Sequence, residues 1–386
     1  MRRAAFLLGF IFLAGCAEKP PAPPERLSLR RVTFAELNGW GHDRQAEALP
    51  ALLRSCEAIS KKPAEASLGG KGVAGSVRDW QPACDVLKTT PPQTDNEARR
   101  FLETWFAPYA LSDEPTGLFT GYYEAELRGA WRQGGHFQTP LWQRPDDLVT
   151  VNLGDFRPEL EGQRLAGKVE EHKLRPYDDR AAVAKGTLTG RAKPLLWTDD
   201  PVDAFFLEIQ GSGRAHMPNG QTMRVGYDAQ NGKAYVPIGR LLAEEGEIEK
   251  PVTMAKIRDW LRTHPECAQA VMDRNPSVVF FRRLEGEGPV GAEGVALTPE
   301  RSLAVDAAFV PLGVPLWLVL EKDDNGVIQP PRLVVAQDTG GAIKGPVRGD
   351  LFWGAGAEAE AQAGAMQSRG TYYLLLPKTV MPNAAQ

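Results

Sequence analysis

Glycine and proline interrupt this sequence so often that a long continuous helix does not fit into it. The chain has 39 glycines and 31 prolines among 386 residues, and both residue types end or bend helices. Their frequency excludes a coiled coil and a simple helical bundle. Because 42% of the residues are hydrophobic and 24% are charged, the chain can still bury a large core, which excludes a disordered protein.

The charge balance argues against nucleic acid as a partner. The 45 lysines and arginines and the 49 aspartates and glutamates give a formal net charge of −4. No basic arm is present that would neutralise a phosphate backbone. We therefore expect no nucleic-acid partner.

The first 30 residues have the pattern of an export signal followed by a spacer. Two arginines precede an apolar run from Ala4 to Ala14, which is too short to span a bilayer as a permanent helix. The string Leu13-Ala14-Gly15-Cys16 is similar to a bacterial lipobox, which predicts a signal peptide over residues 1–15 and a lipid on Cys16. An uncleaved anchor and an ordinary signal peptide are the alternatives. Residues 16–30 are then the lipidated cysteine and a proline-rich linker, and the lipid tethers the protein to a membrane.

Three further cysteines, Cys56, Cys84 and Cys267, leave two possibilities open. Export permits a disulfide between Cys56 and Cys84, but the spacing fits buried free thiols equally well. No pair of cysteines has the spacing of zinc ligands, and the five histidines form no His-Glu-x-x-His pattern. We expect neither a metal nor a cofactor.

Periodicity and turn residues divide the chain into helical and β-type stretches. Residues 34–110 are mainly helical, with a capping-box spacing from Thr94 to Glu97. Residues 117–226 alternate short β-type runs with Gly, Pro and Asp clusters. A second helical passage over residues 252–273 breaks at Pro265. The remaining predictions are strands at 314–320 and 332–336 joined by a turn at 323–326, and a helix at 357–366.

The densest chemical signal is the glycine-rich segment from Ala336 to Gly354, which contains Asp338 and Asp350. Its glycines allow sharp reversals of the backbone, so the segment can bring the two carboxylates together. An aspartate that ends a buried strand close to a second carboxylate and to aromatic rings has a raised pKa and stays protonated at neutral pH. A protonated carboxyl is what a general acid requires.

Other interpretations of this segment exist. Asp338 and Asp350 can instead cap a turn and a strand, as aspartate often does beside glycine. A phosphate-binding loop is disfavoured because the Walker and dinucleotide patterns are incomplete. Asp338-Thr339-Gly340 also matches the triplet of aspartic proteases, but those enzymes need two such motifs and this chain has one.

Several strings spread along the chain are together similar to one known family. They are Phe119–Tyr123, Phe205–Gly213, Gly226–Gly232, Asn275–Phe281, Leu297–Asp306 and Ala336–Gly354. These strings resemble those of the membrane-bound lytic transglycosylase A family, whose C-terminal 3D domain is named after three aspartates. The aspartates that match are Asp306, Asp338 and Asp350, and the resemblance extends from about Gly117 to Pro377.

The resemblance implies a mainly β fold with peripheral helices. It implies a double-psi β-barrel formed by residues 31–123 and 227–386, with the 3D region at about 295–377. A second, barrel-like β-domain is inserted at residues 124–226, and a groove for a glycan strand lies between the two. The family resemblance also implies a monomer on the periplasmic face of the outer membrane, recruited to complexes of cell-wall synthesis or division.

The activity implied is an exolytic cleavage of peptidoglycan without water, which leaves 1,6-anhydromuramic acid ends. The catalytic acid and base corresponds to Asp350, with Asp338 beside it, while Asp306 is structural. Asp338 acts on Asp350 through like-charge repulsion or through a hydrogen bond. A non-catalytic peptidoglycan-binding lipoprotein is the alternative.

Polar side chains and aromatic faces suit the binding of a glycan. The candidates for contacts in the groove are Tyr122, Tyr123, Gln210, Ser212, Tyr227 and Asn231. The apolar run from Ala204 to Ile209 is interpreted as a strand whose end presents Gln210 and Ser212. Lys344 and Arg348 are expected to be solvated surface charges or to meet carboxylates of the substrate.

Overall fold

The structure is a computed structural model that describes residues 27–111, 116–160, 163–286, 288–322, 326 and 328–382. The predicted signal peptide at residues 1–15, Cys16 and most of the predicted linker at 16–30 lie outside these residues. The turn predicted at 323–326 also lies outside them, apart from Gly326. Among the described residues, no helix is both long and apolar enough to cross a membrane.

Helices and strands alternate along the described part of the chain. The helices are α1 Leu49–Ile59, α2 Val77–Thr89, α3 Asp95–Trp105, α4 Arg180–Ala184, α5 Pro201–Gln210, α6 Ile238–Glu244, α7 Met254–Thr263, α8 Pro265–Met272 and α9 Ala357–Ala365. The strands are β1 Leu29–Arg31, β2 Phe106–Leu111, β3 Gly117–Ala130, β4 Thr139–Trp142, β5 Val149–Asn152, β6 Arg164–Glu170, β7 Lys173–Pro176, β8 Pro194–Thr198, β9 Ser212–His216, β10 Thr222–Gln230, β11 Val279–Arg283, β12 Ser302–Val305, β13 Pro315–Leu320, β14 Arg332–Asp338, β15 Arg348–Ala355 and β16 Gln367–Pro377.

Six strands close into a barrel. Around the ring, the order is β13, β14, β12, β15, β3 and β16, and β16 pairs again with β13. The pairs β12–β14 and β15–β3 are parallel, and the other four are antiparallel. Closure leaves no unpaired edge in the ring. The predicted mainly β fold with peripheral helices is confirmed.

Strand β3 belongs to the barrel and also to a second β-unit. Its first half pairs with β15 and β16, while residues 125–128 pair with β9 and the last two residues with β8. From β9 the second sheet continues to β10 and β11. Strands β5, β6 and β7 form a separate antiparallel sheet. The predicted insert boundary at residue 226 falls within β10, so the second sheet also includes β11, which comes later in the chain.

The N-terminal helices cover one side of the barrel. Side chains of α1, α2 and α3 share a single hydrophobic core with strands of the barrel, including the fully buried Trp80 and Trp317. Of the two states left open for the cysteines, the structure has the disulfide, which joins Cys56 in α1 to Cys84 in α2. Cys267 is free and exposed.

Two sequence-based predictions of secondary structure are wrong. The run Ala204–Ile209 is predicted to be a strand but lies in helix α5, which begins at Pro201 after the N-cap Asp200 and ends at Gln210 before the C-cap Gly211 with φ 77°. The helix is apolar on more than one face because it packs between two hydrophobic clusters. The helical stretch predicted to reach residue 110 ends at Trp105, and β2 follows because Pro108 is excluded from a helix interior.

Other predictions of secondary structure are confirmed. Thr94 and Glu97 form the predicted capping box at the start of α3. The break at Pro265 separates α7 from α8. The predicted strands at 314–320 and 332–336 are β13 and β14, and the predicted helix near the C-terminus is α9.

Candidate active site

Asp338 and Asp350 lie on two strands of the barrel that flank β12. Asp338 is the last residue of β14 and Asp350 is in β15, and both are paired with Ala304 of β12, Asp338 at a β-bulge that shifts the register of β14. Two strand spacings therefore separate their backbones, a distance of roughly 10 Å. The charge of Asp350 adds to the raised pKa of Asp338, so the two carboxylates lie within electrostatic range of each other.

The carboxylate of Asp338 is held by three hydrogen-bond donors. The hydroxyl of Tyr122 donates to Oδ2 at 2.9 Å, and the backbone N–H groups of Ala292 and Thr339 donate to Oδ1 at 2.8 and 2.9 Å. Burial raises the pKa of Asp338, and the negative charge of Asp350 raises it further, while the three donors oppose this shift. The predicted raised pKa is therefore found at Asp338.

The carboxylate of Asp350 is held through one of its oxygens. The hydroxyl of Thr120, the residue paired with Asp350 on β3, donates to Oδ1, and the guanidinium of Arg348 forms an ion pair with the same atom. Arg348 also donates to Thr120 Oγ1 at 2.9 Å. With 21% of its side chain exposed, Asp350 is open to solvent, and both donors leave Oδ2 available to a ligand.

Tyr122 connects the two carboxylates. It follows Thr120 by two positions on β3, so both side chains project from the same face. Burial raises the pKa of Tyr122 well above its ordinary value, and the charges of Asp338 and Asp350 add to the shift. The phenol therefore stays protonated and remains a hydrogen-bond donor to Asp338. Its ring packs on Phe352, with 5.2 Å between the ring centroids.

Three other predicted binding residues lie near the point where β3 leaves the barrel. The side-chain oxygen of Gln210 accepts a hydrogen bond from the backbone N–H of Tyr123 at 3.1 Å. Ser212 pairs with Gly226 in β10, and the N–H of Tyr227 donates to the carbonyl of Gly211 at 2.7 Å. Tyr227 is 44% exposed, so its ring is available to a ligand.

Tyr123 and Asn231 have contacts only with the protein. Tyr123 is 3% exposed in a hydrophobic cluster, and its hydroxyl accepts a hydrogen bond from Arg258 at 3.1 Å. Asn231 is 1% exposed, and its amide bonds four backbone groups within 3.2 Å. Both side chains therefore stabilise the fold of the surrounding loops and strands instead of facing a groove.

Sequence reasoning assigned no role to two residues near the carboxylates, Thr120 and Tyr235. It expected Arg348 to be a solvated surface charge or to meet carboxylates of the substrate, whereas Arg348 pairs with Asp350 of the protein itself. Burial raises the pKa of Tyr235, and the charge of Asp350 adds to the shift, so Tyr235 lies within electrostatic range of that carboxylate. The only signal for Thr120 was the alternation of side chains along β3, which puts Thr120 on the same face of the strand as Tyr122. No pattern in the sequence singled out Tyr235.

Asp306 and Lys344 lie on the edge of the cluster. Asp306 follows β12 and accepts hydrogen bonds from the N–H groups of Ala308 at 3.1 Å and Gly345 at 2.9 Å. It thereby fixes the glycine-rich loop that separates Asp338 from Asp350, in agreement with the structural role expected of it. Lys344 is exposed on that loop.

The arrangement is suited to chemistry that moves one proton at a time. Asp350 offers a carboxylate oxygen that solvent and ligands can reach, next to a guanidinium that stabilises negative charge on it. Asp338 is partly exposed, accepts three hydrogen bonds and has a raised pKa, which biases it towards the neutral form. Two carboxylates in such different environments are expected to take different roles in catalysis.

Two family models match most of the region that contains this cluster. The model described as the MltA specific insert domain matches residues 118–282, and the model of the 3D domain matches residues 301–376. The first range includes Thr120 and Tyr122, and the second includes both aspartates.

Similar proteins and structures agree with these matches. A membrane-bound lytic murein transglycosylase A of Vibrio cholerae is 33% identical, over 97% of this chain and 94% of that protein. The crystal structure of a membrane-bound lytic murein transglycosylase from Agrobacterium tumefaciens is 32% identical with a TM-score of 0.81, and the match covers 91% of this chain and 98% of that one. The crystal structure of E. coli MltA with bound chitohexaose is 25% identical with a TM-score of 0.65, over 92% and 95% of the two chains.

Proposed function

The chain belongs to the membrane-bound lytic murein transglycosylase A family, and on that premise we propose the bond that it cleaves and the residue that cleaves it. The bond is the β-1,4 linkage between N-acetylmuramic acid and N-acetylglucosamine in peptidoglycan, and the product carries a 1,6-anhydromuramic acid end. Asp350 is the single acid and base of this reaction. The observation that supports the assignment is that Thr120 and Arg348 engage only Oδ1 of Asp350, whereas hydrogen-bond donors engage both oxygens of Asp338.

In the first step, Asp350 protonates the glycosidic oxygen, and the bond to the anomeric carbon of muramic acid breaks. The proton leaves from Oδ2, because Oδ1 is engaged by Thr120 and Arg348. Donation leaves a carboxylate on Asp350, and the adjacent guanidinium of Arg348 stabilises that charge. The leaving group departs as a neutral sugar hydroxyl.

In the second step, the carboxylate of Asp350 takes the proton of the 6-hydroxyl of the same muramic acid. The oxygen then bonds to the anomeric carbon and closes the anhydro ring, so Asp350 returns to its protonated form. The nucleophile is part of the substrate, and effective molarities of about 10⁵ M for well-oriented intramolecular attack let it outcompete water. A second catalytic carboxylate, which a hydrolase requires, is therefore not needed.

Asp338 and Tyr122 support Asp350 without touching the scissile bond. The raised pKa of Asp338 biases it towards the neutral form, in which its carboxyl adds no second negative charge beside Asp350. Tyr122 keeps the carboxyl of Asp338 in place through its hydroxyl. Asp338 thus acts on Asp350 as a fixed polar neighbour.

The glycan strand lies between the barrel and the second β-unit. The contacts proposed there are Tyr122 on β3, Gln210 and Ser212 at the junction of α5 and β9, and Tyr227 on β10. The related E. coli MltA has been crystallised with chitohexaose, which supports a glycan as the ligand. On this proposal the barrel and the second β-unit are separate domains that enclose the substrate.

The protein is anchored by a lipid on Cys16 and faces the periplasm from the outer membrane. The names of its relatives include the words membrane-bound, and the sequence before the first described strand provides a cysteine at a predicted cleavage site. It acts as a monomer that complexes of cell-wall synthesis or division recruit. The proline-rich linker separates the folded body from the membrane surface.

Mass spectrometry of digested sacculi tests the proposed reaction. Purified sacculi incubated with the protein in ¹⁸O-labelled water are expected to release muropeptides with anhydro ends, which carry no ¹⁸O. Each such product is one water lighter than the corresponding reducing muropeptide. Reducing ends that contain ¹⁸O would indicate a hydrolase, and the absence of any release would indicate a binding protein.

A further inference from the structure

A short turn outside the proposed catalytic set lies against Asp338. It comprises residues 291–294 and is closed by hydrogen bonds from Gly294 N to Gly291 O at 2.9 Å and from Gly291 N to Val295 O at 3.0 Å. The turn contributes the N–H of Ala292 to Asp338 Oδ1 at 2.8 Å. The next residue, Glu293, has no role in the proposed reaction, although it is partly buried and ionisable.

Glu293 connects this turn to helix α1. Its carboxylate accepts a hydrogen bond from the hydroxyl of Ser55 at 2.6 Å, and Ser55 is fully buried. Ser55 Oγ in turn accepts a hydrogen bond from Nε2 of Gln337 at 2.9 Å. Gln337 is also fully buried and immediately precedes Asp338, and its carbonyl accepts the N–H of Glu293 at 3.1 Å. The side chain and the backbone of Glu293 are therefore both tied to the end of β14.

The packing around the turn leaves it little freedom to shift. A Cβ atom added at Gly291 would lie 2.4 Å from the carbonyl oxygen of Gln337. A Cβ atom added at Gly313 would lie 2.9 Å from Oε1 of Glu293. Both distances are shorter than a van der Waals contact, so the turn fits closely between β14 and the loop before β13.

We propose that Glu293 is a positioning residue for the proposed reaction. Anchored on Ser55, it holds the 291–294 turn and thereby keeps the N–H of Ala292 on Asp338. The inference rests on the function proposed above, because Asp338 matters there as the neighbour of Asp350. Glu293 itself does not reach the substrate and acts only through the turn.

The anchoring by Glu293 depends on pH. Burial raises the pKa of Glu293 to about 7, while Ser55, the cation of Lys62 and the amide of Gln337 oppose the shift. The other charged groups nearby are Asp338, which the turn contacts, and Arg54 of α1, whose guanidinium donates to Ala296 O and to Thr298. Because the pKa of Glu293 is higher in the closed turn than in water, ionisation favours opening. The turn is held most firmly below about pH 4.5, where Glu293 is protonated in both the closed and the open turn, and it loosens as the pH rises through 7 towards 8.

Hydrogen–deuterium exchange of peptides that contain residues 290–296 tests the inference without relying on catalysis. The full chain is compared at pH 6 and pH 8, with rates corrected for intrinsic exchange. Because the pKa of Glu293 in the closed turn is about 7, the equilibrium constant for opening of the turn should be about tenfold larger at pH 8 than at pH 6. Glu293→Gln keeps the size and the acceptor but cannot ionise, so its corrected exchange is expected to be the same at both pH values. Glu321→Gln removes an exposed charge and is expected to behave as the wild type does.

The same three proteins are assayed for release of muropeptides. The activity of the wild type is expected to fall between pH 6 and pH 8. The fall should appear in kcat more than in KM, and it should be smaller in Glu293→Gln than in the wild type.

Ser55→Ala removes the anchor of Glu293 and is expected to accelerate exchange of the turn at pH 6. This variant keeps the test available should Glu293→Gln fail to fold. Equal pH responses of exchange in the wild type and Glu293→Gln would overturn the inference. A wild type inactive at every pH would overturn the proposed function, while exchange would still decide the role of Glu293.

Discussion

At the scale of single residues, environment separates two carboxylates of the same chemical type. Asp338 and Asp350 are both partly exposed. Asp338 accepts hydrogen bonds on both carboxylate oxygens, and its pKa is raised. Asp350 pairs with Arg348 and Thr120 through Oδ1 alone. A carboxylate needs an oxygen that can meet the substrate to exchange a proton with it, and the contacts leave Oδ2 of Asp350 for this role. The proposed roles follow from this difference.

Tyr122→Phe is expected to change the pH dependence of activity while leaving the fold intact. The hydroxyl of Tyr122 lowers the pKa of Asp338, so its loss raises that pKa further. The limb of the pH profile that reports Asp338 should therefore move to higher pH. The carboxyl of Asp338 also loses the hydrogen bond that keeps it in place beside Asp350. Such a bond contributes roughly 1.5 kcal/mol, so kcat should fall about tenfold.

The control for this variant is Tyr123→Phe, which removes a hydroxyl from the neighbouring residue in the core. Release of muropeptides is measured from pH 4 to pH 9 for both variants and for the wild type. A pH profile of Tyr122→Phe that coincides with that of Tyr123→Phe would refute the coupling between Tyr122 and Asp338.

At the scale of helices and strands, the sequence predicted what local patterns determine. The capping box of α3 and the break at Pro265 follow from a few neighbouring residues and are confirmed. Helix α5 was missed because it is buried between two clusters, so its apolar residues show no helical period. The start signal Asp200-Pro201 and the stop signal Gly211 were present and would have identified it.

In the candidate site too, the sequence could predict what lies within one short segment but not what depends on contacts between distant segments. The twelve-residue spacing of Asp338 and Asp350 lies within one segment, so the sequence could identify both. Thr120 bonds Asp350 across 230 positions, and Ser55 bonds Glu293 across 238. Contacts of that range are fixed by the pairing of β3 with β15 and by the packing of α1, neither of which leaves a local pattern. These residues could be found only in three dimensions.

At the scale of the whole molecule, one strand joins the two β-units. Residues of β3 pair with β15 at Thr120 and with β9 from Ala125 onwards. The acidic cluster therefore lies within a few residues of the junction between the barrel and the second sheet. This position is consistent with the proposal that a glycan strand binds between the barrel and the second β-unit.

The lipid anchor can be tested separately from catalysis. Cys16→Ser is expected to move the full chain from the membrane fraction to the soluble fraction, since the lipid provides the proposed attachment. Activity on isolated sacculi should stay unchanged, because residue 16 is far along the chain from β1. Cys267→Ser, which replaces the exposed free cysteine, is the control and should remain in the membrane fraction. Retention of Cys16→Ser on membranes would contradict the proposed anchor.

The most direct test of the central claim is the release of anhydromuropeptides by Asp350→Asn. The asparagine keeps the shape of the side chain but cannot donate and recover the proton, so release should fall about a thousandfold, within the range known for loss of a general acid and base. Binding to sacculi should stay within about threefold of the wild type, which shows that the fold is intact. Release within tenfold of the wild-type rate would contradict the claim and would transfer the catalytic role to Asp338.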